Sequence, residues 1–179
     1  MVNFNTLSQS FADANIENNN DNITAAQFQE LAQELSEDLG LQLNDVNGLF
    51  GQSLVGLSRD QAFAMISDVL MSVDSNADED GIQLEQGQTL AGTVATQLGV
   101  EENALGQRMT QISSVFKDIE IDIEGENTED INDDVITYGG DDAKINELFT
   151  ALNVQVENEN NPNGTGSSDS TGNNTGQNN

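Results

Sequence analysis

The sequence contains no cysteine, no histidine and no tryptophan, and only one proline and one tyrosine. Without cysteine there is no disulfide framework, no thiolate nucleophile and no cysteine-ligated zinc. Without histidine the chain lacks the usual general base near neutral pH and the commonest transition-metal ligand. Basic residues are nearly as scarce. Four Lys and Arg stand against 32 Asp and Glu in 179 residues, a formal net charge of −28. That balance excludes nucleic acid as a partner, because phosphates need Lys and Arg to displace their counterions. It argues equally against an anionic membrane surface. No run approaches the roughly 18 apolar residues of a membrane span, so no membrane insertion is expected. The start, MVNFNTLSQS, has no basic region followed by an apolar one, and no conventional signal peptide is read there. The aromatic residues are seven Phe and Tyr138. A sugar-cleaving cleft normally wants Trp and Tyr, and no other catalytic pattern stands out, so the chain is not expected to be an enzyme.

What the sequence has in plenty is carboxylate and amide oxygen, the ligand set of hard cations such as calcium. It also has order. A shift of 59 residues superimposes the apolar skeleton on itself: Phe4, Leu7 and Phe11 fall on Phe63, Ile66 and Leu70, and Ile23 falls on Ile82. Leu31 to Leu41 (LAQELSEDLGL) falls on Leu90 to Val100 (LAGTVATQLGV), and Val46, Phe50 and Leu57 fall on Leu105, Met109 and Phe116. Two units, 2–58 and 61–117, are therefore read as one duplicated supersecondary element within a domain of residues 1–117.

Apolar spacings of three and four predict three helices per unit. The first carries Phe4, Leu7 and Phe11, or Phe63, Ile66 and Leu70. The second is predicted over Thr24 to Leu39 and Gln83 to Leu98, and the third over Asn44 to Leu57 and Asn103 to Phe116. Thr24-Ala-Ala-Gln27 and Ser58-Arg-Asp-Gln61 are capping boxes. Gly40 and Gly99 stand where a left-handed residue ends a helix. Phe63, Met65, Met71 and Met109 are read as core, four methionines being too few for a Met-rich target groove. After Phe116 the period changes to two. Asp118 to Glu124 alternates charge with Ile119, Ile121 and Ile123, predicting a strand with a partner at Val135 to Tyr138. A helix is expected over Asp141 to Leu152, so 118–155 reads as an acidic hairpin and helix packed on the helical domain. From Glu157 onward no large apolar residue occurs, and 156–179 is predicted to be a disordered Asn/Gly/Ser/Thr tail. It contains two glycosylation-type triplets, at Asn163 and Asn173. The fold class is thus mainly α, with a small hairpin.

Chemistry concentrates between the first two helices of each unit. In the second, Asp74, Asn76, Asp78 and Asp80 alternate, then Gly81 and Ile82 follow. Short oxygen side chains alternating in a tight turn can converge on one ion at about 2.4 Å. This segment resembles the EF-hand family, a helix, a 12-residue calcium loop and a helix, whose pattern is D-x-[DN]-x-[DN]-G-x5-E. The resemblance covers about residues 60–98 well and 3–40 more loosely. It implies calcium as cofactor, with Asp74, Asn76, Asp78, Asp80 and Glu85 at loop positions 1, 3, 5, 7 and 12. Glu79 replaces the family's glycine at position 6, and Gly81 its isoleucine at position 8. Anchoring instead on Ile82 as position 8 makes Gln86 the last ligand, which would weaken the site. The first unit repeats the arrangement with fewer charges. Asn15, Glu17, Asn19, Asp21 and Gln27 form a weaker second metal site, unless Gln27 serves only the capping box with Thr24. The resemblance further implies that Ile23 and Ile82 pair across a short β-bridge.

Nine acids between Asp118 and Asp134 are read as the solvent face of a strand and turn. The strand edge there could pair with another chain, although its charges oppose this. The functional expectation is a calcium-binding protein in which the ion stabilises or orients a helical pair, in a structural or secreted role. The alternative is a salt-adapted acidic structural or assembly protein, such as a surface or virion component, with no specific metal. Self-repulsion at this charge fits an extracellular or salt-rich setting for either. A protein partner or self-assembly is compatible with both.

Overall fold

A computed structural model of the chain describes residues 2–18, 20–73 and 82–153. The described residues form seven α-helices and one two-stranded antiparallel sheet. Met1, Asn19, residues 74–81 and residues 154–179 lie outside this description. The tail 156–179, both triplets and the loop residues Asp74, Asn76, Asp78 and Asp80 are therefore among the residues not described.

The first helix, α1 (Phe4–Asp13), starts where the Asn3 side chain accepts the N–H groups of Asn5 and Thr6. α2 (Ala25–Asp38) starts on the capping box of Thr24 and Gln27, and Gly40 follows its end at φ +66°. α3 (Leu43–Phe50) is shorter than expected. The reason is tertiary: the Ile23 N–H donates to Leu57 O at 2.8 Å, and Gly56 N–H donates to Ile23 O at 2.9 Å. Residues 56 and 57 are thus drawn out of helix to satisfy the backbone of Ile23. α4 (Arg59–Met71) begins on the Ser58–Gln61 capping box.

The second unit departs from expectation at its second helix. α5 spans Leu90–Leu98, not Gln83 to Leu98. Gln83 stands where the first unit has Thr24, and glutamine lacks the short hydroxyl that caps a helix. A turn closes instead, with Gln88 N–H donating to Glu85 O at 3.0 Å and Gly87 at φ +88°. Thr89 then caps α5 by accepting Gly92 N–H. A 3-10 turn, Glu102–Ala104, leads into α6 (Leu105–Phe116).

The strands fall where period-two alternation places them. β1 (Ile119–Glu124) pairs with β2 (Val135–Gly140), with Ile121 opposite Tyr138 and Ile123 opposite Ile136. α7 (Asp142–Leu152) is capped by Asp141, which accepts Ala143 N–H at 2.9 Å.

The core runs through all these elements. Phe4, Leu7 and Phe11 of α1 and Phe63, Ile66 and Leu70 of α4 are all buried. The Phe63 ring meets Phe4 edge-on at 5.3 Å and Phe11 at 5.6 Å. Met65 and Met109 are buried as expected, whereas Met71 in the last turn of α4 is 37% exposed. The hairpin lies on α4 and α6, and β2 on α7, with Tyr138 edge-on to Phe149 at 5.3 Å. No helix among the described residues is long and apolar enough to cross a membrane.

Candidate functional site

The first acidic loop, between α1 and α2, is built from local bonds. Asn15 takes a left-handed conformation at φ +59°, which asparagine tolerates better than most residues. That turn lets Ile16 N–H donate to Phe11 O at 2.9 Å and puts Ile16 into the core. Asn15, Glu17 and Asp21 all keep exposed side chains. Gln27 does not join them as a free ligand. Its Oε1 accepts Thr24 N–H at 3.0 Å, and its Nε2 donates to Asn15 O at 3.2 Å. Its amide ties the start of α2 to the end of α1, and an ion taking that oxygen would break the cap. Of the second set expected from the sequence, the loop therefore presents Asn15, Glu17 and Asp21, with Asn19 outside the described residues.

The second acidic loop is held at both ends. On the entry side, Val73 N–H donates to Leu70 O at 3.1 Å at the end of α4. On the exit side, Ile82 is 8% exposed, and its N–H donates to Leu39 O at 3.1 Å. Ile23 and Ile82 therefore do not form the expected bridge. The backbone of Ile23 is taken by the 56–57 segment, which also forms a bridge between Asn22 and Ser58, while Ile82 turns to the end of α2. Glu85 is exposed and precedes α5, its N–H reaching Gln88 Oε1 at 3.3 Å. Neither Glu85 nor Gln86, the two candidates for the last ligand, lies on α5. Among the described residues, no group of three or more Asp or Glu is arranged to hold a metal ion.

Two buried polar sites were not anticipated from the sequence. Arg59, 5% exposed, lies between the Phe11 and Phe63 rings at 5.6 and 5.4 Å. Its guanidinium donates to Asp60 Oδ1 at 2.9 Å, to Glu126 Oε2 at 2.7 Å and to Ser8 Oγ at 3.5 Å. One cation thus joins α1, α4 and the hairpin loop. Burial raises the Asp60 carboxyl even against the hydrogen bond and charge of Arg59. The scarcity of bases was the one available signal, since a rare cation in so acidic a chain tends to collect carboxylates.

The second site is the hydrogen bond from the Tyr138 hydroxyl to Asp68 Oδ2, joining β2 to α4. Burial pushes Asp68 up to about 7, opposed by the Tyr138 bond. Burial first, then the Asp68 charge, drives Tyr138 well above its usual range. Asp68 interrupts the apolar face of α4, which is the only trace it leaves in the sequence. Both sites join elements. Compared with family models, with curated proteins and with solved structures, the chain gives no match.

Proposed function

We propose that this chain binds one calcium ion through the loop between α4 and α5, and that the ion steadies the helical body in a structural role. The observation that carries this reading is the anchoring of Val73 and Ile82 on either side of Asp74, Asn76, Asp78 and Asp80. A short acidic segment with fixed ends loses less entropy when an ion orders it than a free one does. The two helix triplets, read as a duplicated EF-hand-like unit, support the same assignment through their shared buried positions. Glu85 stands ahead of α5 and not on it, so bringing its carboxylate to the ion costs ordering that a helix-borne ligand avoids. Affinity is therefore expected in the weak extracellular range, roughly 10⁻⁴–10⁻³ M. The first loop is the weaker of the two and is left out of the proposed site, because the Gln27 amide is committed to its cap.

The second reading is a salt-adapted acidic structural or assembly protein with no specific metal. It is favoured by the exposed, scattered carboxylates of α2 and the hairpin. Calorimetric titration with calcium at about 0.15 M salt separates the two. Calcium binding predicts a saturable heat with one ion per chain, weaker or absent with magnesium and lost in Asp74→Ala/Asp78→Ala. An unchanged heat in that variant, or none in the parent, would leave the salt-adapted reading.

A further inference from the structure

Among the described residues, one long side of β1 is unpaired by any strand. In an antiparallel pair, successive residues turn their N–H and C=O alternately towards and away from the partner. Ile119 O accepts from Gln61 Nε2 at 3.3 Å, so the backbone of Ile119 faces away from β2. By the same alternation Ile121 and Ile123 also present their N–H and C=O on that outer side. Among the described residues, none outside the hairpin bonds them.

That edge borders a groove of about 520 Å³. One wall is Gly56, Asp60 and Gln61, at and before the start of α4; the other is Lys117, Glu120 and Ile121. Of these only Lys117 is basic. Glu120, Asp122 and Glu124 stand exposed on the solvent face of β1. On the opposite face, Ile119 is buried and Ile121 and Ile123 pack partly against the core.

We propose that the outer edge of β1 is a docking site for an extended, basic segment of another protein, which adds a third strand to the sheet. The chemistry of the occupant follows from the pleat. Residues beside Ile121 and Ile123 lie on the apolar face, and those beside Glu120, Asp122 and Glu124 lie on the acidic face. The fitting segment therefore alternates aliphatic residues with Lys or Arg. A second copy of β1 would bring like acids face to face, which is destabilising. The acids thus select the partner as well as guard the edge.

The test uses the full chain and a fluorescent peptide of about eight residues alternating Val and Lys, titrated at about 0.15 M salt. Saturable binding is expected, with little for a Val–Glu peptide or for a Gly–Lys peptide of equal charge. Two N-methylated Val–Lys peptides decide the geometry, one methylated on the Val amides and one on the Lys amides. Only one set of amides faces β1, so one peptide should bind about tenfold or more weaker while the other is nearly unchanged. Ile121→Pro, which removes an outward N–H, should weaken binding similarly, and Asp122→Lys/Glu124→Lys should weaken it through charge. Equal binding of the two methylated peptides, or of the Gly–Lys peptide, would overturn the proposal even if Ile121→Pro failed to fold.

Discussion

Asp68 shows how one residue can set the pH response of a chain with 32 acids. Desolvation of this half-buried side chain against β2 pushes its carboxyl up to about 7 in the folded protein, from an ordinary value of 3.8. The folded state therefore holds a proton that the unfolded state has released between those values. A raised folded pKa gives stability that is complete below about pH 4 and is lost as pH rises through about 7. The loss amounts to a few kcal/mol at most, at 1.36 kcal/mol per pH unit. Asp68→Asn keeps an acceptor for the Tyr138 hydroxyl and removes the titration. Urea midpoints between pH 4.5 and 7.5 should fall more steeply with pH for the parent than for Asp68→Asn. The difference between the two isolates this group from the many surface carboxylates. Parallel slopes would mean that Asp68 is already ionised across that range. Arg59 is the complementary case, a buried cation whose two carboxylate partners, Asp60 and Glu126, approach from α4 and the hairpin loop.

At the scale of elements, the helix starts follow the caps more closely than the apolar period. Thr24 and Ser58 both begin helices through a full capping box. Replacing either hydroxyl should cost about 1 kcal/mol. Thr24→Ala is the sharper probe, because Gln27 also ties α2 to Asn15. Its urea midpoint should fall while the calcium heat stays unchanged; a change in that heat would return the first loop to the metal site. Helix identity, strand alternation and the core positions were legible in the sequence because each follows a local period. Three features were not. The end of α3 is set by the backbone of Ile23, some thirty residues earlier in the chain. The late start of α5 depends on a missing hydroxyl at Gln83 and on Gly87, which replaces the first unit's Phe28, and the 59-residue repeat carried the first unit's helix over both. The Arg59 and Asp68 contacts join residues 67 and 70 positions apart, and no local pattern records them. The candidate metal site was legible as a pattern of ligands. The capping box that commits Gln27 was legible too, whereas the bonds that anchor Val73 and Ile82, and the one from Gln27 to Asn15, come only from the fold.

For the whole molecule, a charge of −28 is spread over a body whose bases are few and largely committed. Arg59 is buried in its ion pairs. Lys144 lies 3.7 Å from Asp118 and 3.5 Å from Glu147, both exposed pairs of little worth. Most carboxylates therefore repel one another through solvent, and unfolding relieves that repulsion by spreading them apart. Raising the salt from about 0.01 M to about 1 M shortens the screening length from about 30 Å to about 3 Å. The melting temperature should climb by several degrees over this range, steeply at first and then more slowly as the length falls below the spacing of the acids. Sodium, potassium and choline chloride should act alike, because screening depends on ionic strength and not on fit. Calcium at matched ionic strength should add a further increment in the parent and none in Asp74→Ala/Asp78→Ala, since only a site that discriminates the folded state adds binding energy to screening. A melting temperature flat in salt would mean that repulsion is as strong in the unfolded chain as in the folded one, and the acidic surface would then need a reason other than the folded protein's response to salt.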